Sequence, residues 1–205
     1  MMNNELIDVM YSKLPNAVFG FHGCSVTVYD SVISGDEHLK PSNNAYDWLG
    51  NGIYFWENSF ERAAEWAKNK YGVDGRVVGA ILDLGNCLDF TDYRSMEILK
   101  LGYEMLKINC DAIGEQIPVN KFGKSQNDLL LRNLDCAVIQ EIHDYNHIMD
   151  RDPYDSVRGI FTEGKEVYPG AGIIEKTHTQ ICIVNPNCIK GYFKPLERNK
   201  EYRIP

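Results

Sequence analysis

The sequence is poor in positive charge. Its 21 Lys and Arg stand against 29 Asp and Glu, a formal net charge of −8. That disfavours broad, sequence-blind binding to nucleic acid, which rests on many cationic contacts to phosphate. No run of apolar residues approaches the length of a membrane span. Residues 1–14 carry Glu5 and Asp8 and lack the basic-then-apolar order of a leader segment. None of the six Cys is spaced as C-x-x-C, so they read as reduced thiols, mostly small core residues. These absences together point to a cytoplasmic protein with no membrane partner.

Familiar nucleotide and metal motifs are missing too. Gly123-Lys124-Ser125 has the tail of a P-loop, but the earlier glycine is replaced by Pro118. Gly50 and Gly52 begin a dinucleotide fingerprint that Phe55 breaks. His143 and His147 share a helix face, yet no third ligand accompanies them, so we expect surface histidines and no metal.

What is present is a chain of 205 residues, which suits one domain, 1–205, with a sizeable core. Residues 5–14 read as a short amphipathic helix stopped by Pro15, and 17–22 as a strand. Ser25 is placed to cap a helix running to about Ile33, with Ser34-Gly35 ending it. Gly50-Asn51-Gly52 leads into the aromatic strand Ile53-Tyr54-Phe55-Trp56. Asn58 and Glu61 then resemble a capping box for a helix through Trp66. Residues 76–84 read as a strand. Residues 92–107 and 125–148 read as two helices, an insertion over about 92–150 between β-rich halves. Residues 156–161, 177–184 and 188–193 complete the strands, with a turn at Asn185-Pro186-Asn187. The grouping of strands, helices and strands predicts an α+β class.

Three features converge on chemistry. His22-Gly23 sits at a strand end, where an imidazole can hold a sugar hydroxyl and a bare backbone can grip a flat amide. Tyr54 and Trp66, twelve residues apart, can form two sides of a slot for a planar ring. His178 and Gln180 share a strand face with Cys182, and two polar side chains on such a strand need partners if buried. Each feature alone has a plain packing explanation; the order of all three is more specific.

At these residues the chain resembles the ADP-ribosyltransferase superfamily, in its branch related to poly(ADP-ribose) polymerases and diphtheria toxin. The family's His-Gly-Thr/Ser looks like His22-Gly23-Cys24. Its Gly-x-Gly-Ile-Tyr-Phe strand looks like Gly50 to Phe55, with Trp66 as the second stacking aromatic. Its Glu-led strand looks like Gln180 to Val184 followed by Asn185-Pro186. The match covers both β-rich ends and omits the helical insertion. The resemblance implies an ADP-ribosyltransferase-like fold of two small antiparallel sheets around an NAD cleft. It implies NAD+ as a substrate held by His22, Gly23, Gly52, Tyr54 and Trp66, with no metal. His22, Tyr54, Gln180 and His178 are the implied catalytic residues, His178 as a base for the acceptor.

Gln180 departs from the family's Glu and lacks its charge, which disfavours chain growth and implies transfer of a single ADP-ribose. The expected acceptor is a macromolecule, RNA or DNA slightly ahead of protein. Arg158, Lys165 and Lys176 are the nearest cations for a nucleic-acid groove. More loosely, the chain resembles bacterial toxins of toxin–antitoxin and phage-defence systems, which implies an antitoxin protein as a further partner. The rival readings are an NAD glycohydrolase and a catalytically inactive NAD-binding module.

Overall fold

The computed structural model of the protein describes residues 17–123 and 128–204; the helix expected over 5–14 lies outside them. Eleven principal elements follow in chain order. They are β1 (Ala17–Ser25), α1 (Val26–Ser34), β2 (Ile53–Glu57), α2 (Phe60–Tyr71), β3 (Gly75–Asp83), β4 (Cys87–Asp89), α3 (Tyr93–Ile113), α4 (Asn133–Ile148), β5 (Ser156–Phe161), β6 (His178–Ile183) and β7 (Ile189–Phe193). The class is α+β, as the element order predicts.

The strands form one seven-stranded mixed sheet in the order β4-β5-β6-β2-β1-β3-β7, rather than the two separate sheets expected. The physical reason lies at the β1–β2 junction. Only Gly20↔Glu57 and Phe21↔Trp56 are paired there, extended by the Asn58 N–H donating to the Phe19 carbonyl at 2.8 Å. By contrast β1 and β3 stay paired from Ala17↔Asp83 to Ser25↔Gly75. Two three- or four-stranded halves therefore meet through one short ladder that parts at its far end.

Each face of the sheet buries its own core. Ile53 and Phe55 of β2, Ile181 and Ile183 of β6, and Val78, Ala80 and Leu82 of β3 share one cluster with Cys24. The opposite face carries Cys182 and Val157 into a second cluster with Leu106 of α3 and Val138, Ile139 and Ile142 of α4, against which Tyr54 packs. A third, smaller cluster joins Trp56 and Val77 to Ala63 of α2. The alternation of faces along β2 and β6 is what sends neighbouring residues into different cores.

The helical insertion is a crossover. β4 and β5 are parallel, with Leu88 opposite Val157, and parallel neighbours need such a connection. α3 begins at the N-cap Asp92, whose side chain accepts from the Arg94 N–H. α4 begins at Asn133, later than expected, because the segment before it is held extended. Lys121 and Leu131 exchange backbone bonds, and the Leu130 carbonyl accepts from Trp48 Nε1 at 2.8 Å. The Asn120 side chain then caps α4 by accepting from the Leu134 N–H at 2.9 Å. All six cysteines are unpaired thiols, and five are buried. No helix among the described residues is long and apolar enough to cross a membrane.

Candidate active site

β1 parts from β2 beyond the Phe21↔Trp56 pair. Because the Phe19 carbonyl faces β2, the same edge of Phe21 and Gly23 faces β2 as well. Continued in register, the ladder would pair Gly23 with Tyr54, but pairing stops at Phe21↔Trp56. The Tyr54 carbonyl accepts instead from His22 Nδ1 at 2.7 Å. A side chain thus takes the acceptor that Gly23 would have used, and the β2-facing N–H and C=O of Gly23 fall outside that ladder. With the proton on Nδ1, His22 Nε2 is the acceptor atom. Burial pushes the His22 imidazole below its ordinary value of 6.5, so it is held neutral.

Glycine at 23 has a second cause. A Cβ there would stand 2.6 Å from the Ala63 carbonyl and 3.0 Å from the Trp66 ring, so α2 lies directly over this position. His22 itself projects to the other face, with its ring 5.8 Å from Phe55. The structure therefore joins His22 to the backbone of Tyr54 rather than to its ring.

Tyr54 is locked. Its hydroxyl donates to the Gly50 carbonyl at 2.7 Å and accepts from the Leu49 N–H at 2.8 Å. Desolvation holds its phenol far above the ordinary tyrosine value, so it stays protonated. Gly52 anchors the same loop: at φ 156 its missing Cβ would lie 2.5 Å from Cys182 Sγ. The Gly50 to Tyr54 path is thus closed on itself through the tyrosine hydroxyl.

Trp66 lies over Gly23. Its ring rests 5.9 Å from Trp56 and 6.0 Å from Tyr71, with Lys70 Nζ 4.6 Å above it. Trp56 is the aromatic that sequence reasoning missed. Period-two counting from Tyr54 places it on the same strand face, directly opposite Gln180 in register. Its Nε1 is buried with no hydrogen-bond partner, an uncommon open donor beside Gln180.

Gln180 and His178 are both buried. His178 Nδ1 donates to the Lys176 carbonyl at 2.7 Å, which leaves Nε2 as acceptor for the Gln180 amide N–H at 3.1 Å. That orientation turns Gln180 Oε1 away from His178. Desolvation holds the imidazole below its ordinary value, with Arg62 and Arg132 adding to the effect and Glu163 opposing it. The Glu163 carboxylate, 3.6 Å from Nε2, therefore faces a neutral ring. Since Gln180 occupies Nε2, His178 is placed to orient the amide rather than to accept a proton from elsewhere.

Around this pair runs a charge network absent from the sequence reading. Arg62 of α2 bonds Glu65 and donates to Glu163 at 2.6 Å, and Lys176 donates to Glu65 at 2.5 Å. The Lys176 hydrogen bond holds the Glu65 carboxyl below its usual range. Arg62 was legible in one respect, because it lies four residues before Trp66 and so shares its helix face. Of the three cations expected to serve an acceptor groove, Lys176 is paired with Glu65, and Arg158 donates to Glu57 at 2.5 Å and Asp89 at 3.1 Å. Lys165 is exposed on the loop before β6.

His143 is not the surface residue expected. Its ring packs edge-on to Tyr154 at 6.2 Å, and burial lowers its pKa. Among the described residues no cluster of three or more His, Cys, Asp or Glu is arranged to hold a metal. Comparison with protein families, with curated proteins and with solved structures finds no match for this chain.

Proposed function

We propose that the protein is a mono-ADP-ribosyltransferase that cleaves NAD+ and transfers one ADP-ribose to a macromolecule. One observation carries the reading: His22 diverts the Tyr54 carbonyl, which leaves a glycine N–H and C=O side by side at the parting of β1 and β2. A primary carboxamide such as that of nicotinamide has the complementary acceptor and donor. β6, β2 and β1 are sheet neighbours, so Gln180, Tyr54 and His22-Gly23, distant in sequence, lie on adjacent strands.

In this reading the Gly23 backbone holds the carboxamide, and His22, from the other face, keeps the Tyr54 carbonyl away from it. Trp56 Nε1 supplies a donor for a further polar group of the nucleotide. The bond from ribose C1′ to the nicotinamide nitrogen breaks, and the electron pair leaves with neutral nicotinamide. The sugar passes through an oxocarbenium-like state. Gln180 Oε1, held by His178, offers a fixed dipole to that cation rather than a full charge. The acceptor's nucleophile then bonds to C1′ and loses its proton to solvent or to a basic group. A neutral Gln favours one transfer over chain growth.

The test is incubation with NAD+ labelled in the adenylate, plus cell lysate, followed by separate nuclease and protease digestion. A single ADP-ribose on RNA, DNA or protein is the expected product, with the digestions naming the acceptor. Nicotinamide release without labelled macromolecule would replace the transferase by a glycohydrolase. Absence of both turnover and NAD+ binding by calorimetry would end the reading.

A further inference from the structure

A concavity lies beside the aromatic residues that flank His178. It occupies about 670 Å³ between α3, α4 and the β5 edge. That volume falls within the range of about 300–1,000 Å³ typical of small-molecule sites. Trp48, Phe90, Tyr103, Leu134 and Phe161 supply a mostly apolar lining, and Arg132 contributes the guanidinium.

The lining is rigid and chemically selective. Trp48 is fixed through its Nε1 bond to Leu130, and the Trp48 and Phe161 rings meet edge-on at 4.8 Å. The Arg132 guanidinium lies over both, 4.5 Å from the Trp48 ring centre and 4.8 Å from that of Phe161. It donates from Nη1 to Asp135 at 3.3 Å, while Nε is buried with no partner. A guanidinium has five N–H donors, so this one holds more than its one carboxylate partner takes up. The Asp135 carboxylate is also committed to the Asn120 amide at 2.8 Å. Lys100 pairs outward with Glu97 at 2.7 Å, and Glu104 is the remaining carboxylate of the lining. A flat aromatic surface, apolar walls and one under-used planar cation specify a ligand that stacks and carries negative charge at one end.

We propose that this cleft binds a planar aromatic anion, either a nucleotide or an aromatic carboxylate, with its ring against the aromatic wall and its acidic group on Arg132. The wall is shared: Phe161 stands opposite His178 in the sheet register, and both Trp48 and Phe161 lie 6.3 Å from the His178 ring. Ligand in the cleft therefore presses on the residue that orients Gln180.

The experiment is a fluorescence titration of the whole chain with 1-anilinonaphthalene-8-sulfonate, and in parallel with uncharged N-phenyl-1-naphthylamine. One saturable sulfonate site is expected. Arg132→Gln should weaken the sulfonate at least tenfold and leave the uncharged probe within threefold. Tyr103→Ala, on a partly exposed side chain, should weaken both and keeps the test open if the arginine variant fails to fold. Displacement of the sulfonate by adenosine 5′-monophosphate but not benzoate identifies a nucleotide; the reverse identifies an aromatic carboxylate. Displacement by neither, several equivalent sites, or indifference to both substitutions overturns the proposal. The titration uses no NAD+ turnover, so its failure leaves the transferase reading untouched.

Discussion

His178 holds Gln180. Its Nδ1 is committed to the Lys176 carbonyl at 2.7 Å, so its Nε2 accepts from the Gln180 amide at 3.1 Å. The strand's own backbone thereby chooses the histidine tautomer, and the tautomer chooses which way the amide points. In Gln180→Glu the carboxylate would favour the imidazolium, which can donate from both nitrogens. The His178 pKa, followed by NMR, should rise by at least one unit. An unchanged value would separate the two side chains in solution.

Tyr54 is a structural anchor as well as a candidate for binding. Tyr54→Phe deletes one hydroxyl, strands the Leu49 N–H and leaves the Gly50 C=O with only the weak Cys182 thiol donor at 3.7 Å. Leaving such a group unsatisfied costs about 1–3 kcal/mol. Urea unfolding should show that loss, and NAD+ turnover should fall with it because the Gly50 to Gly52 loop is released. Full stability in the variant would mean that the loop does not depend on this hydroxyl.

The opening of the sheet at Gly23 is readable by amide hydrogen exchange. In the parent protein the Gly23 amide should exchange much faster than that of Phe21, whose partner Trp56 is in register. His22→Ala frees the Tyr54 carbonyl, so the ladder can extend and Gly23 should gain protection. Equal protection of Gly23 and Phe21 in the parent would close the proposed amide pocket.

Three histidines, His22, His143 and His178, have pKa values lowered by burial. The unfolded chain therefore binds more protons than the folded one once pH falls below the ordinary value of 6.5. The stability they protect is fully present above that value and declines as pH drops toward their folded values. Thermal melts from pH 8 to pH 5 should show Tm falling below about pH 6.5, the histidine range. His178→Asn should flatten the slope. A Tm that rises on acidification in this window would contradict the buried, neutral state.

Much of the frame was legible because local chemistry and tertiary placement agree. Ser25 caps α1 by accepting from the Val28 N–H at 3.4 Å, and Gly35 ends it at φ 84. β5 and β6 lie where their apolar runs predict. Asn58 failed as a cap because a distant strand claims it. Its N–H goes to the Phe19 carbonyl, and its φ of 48 is a left-handed turn, so Ser59 becomes the N-cap without a side-chain bond. β4, three residues long, has no pattern of its own and exists only beside β5. In the candidate site, spacing alone suggests the Tyr54–Trp66 slot, whereas the ring in contact with Trp66 from β2 is Trp56. The Arg62–Glu163 pair joins α2 to the loop after β5 across 101 residues, a separation that no short-range pattern reports.

The sheet order also dictates when the site can exist. β2 sits between β1, formed earlier in the chain, and β6, which follows both helices of the crossover. Until β6 is added, Tyr54 and Trp56 occupy an edge strand, and Gln180 and His178 have no place in the fold. Pairings of such large sequence separation close late, after loop entropy has been overcome. A chain synthesised only through β3 therefore lacks Gln180 and His178 beside β2. The proposed site is complete only with the last central strand, as a property of the finished sheet.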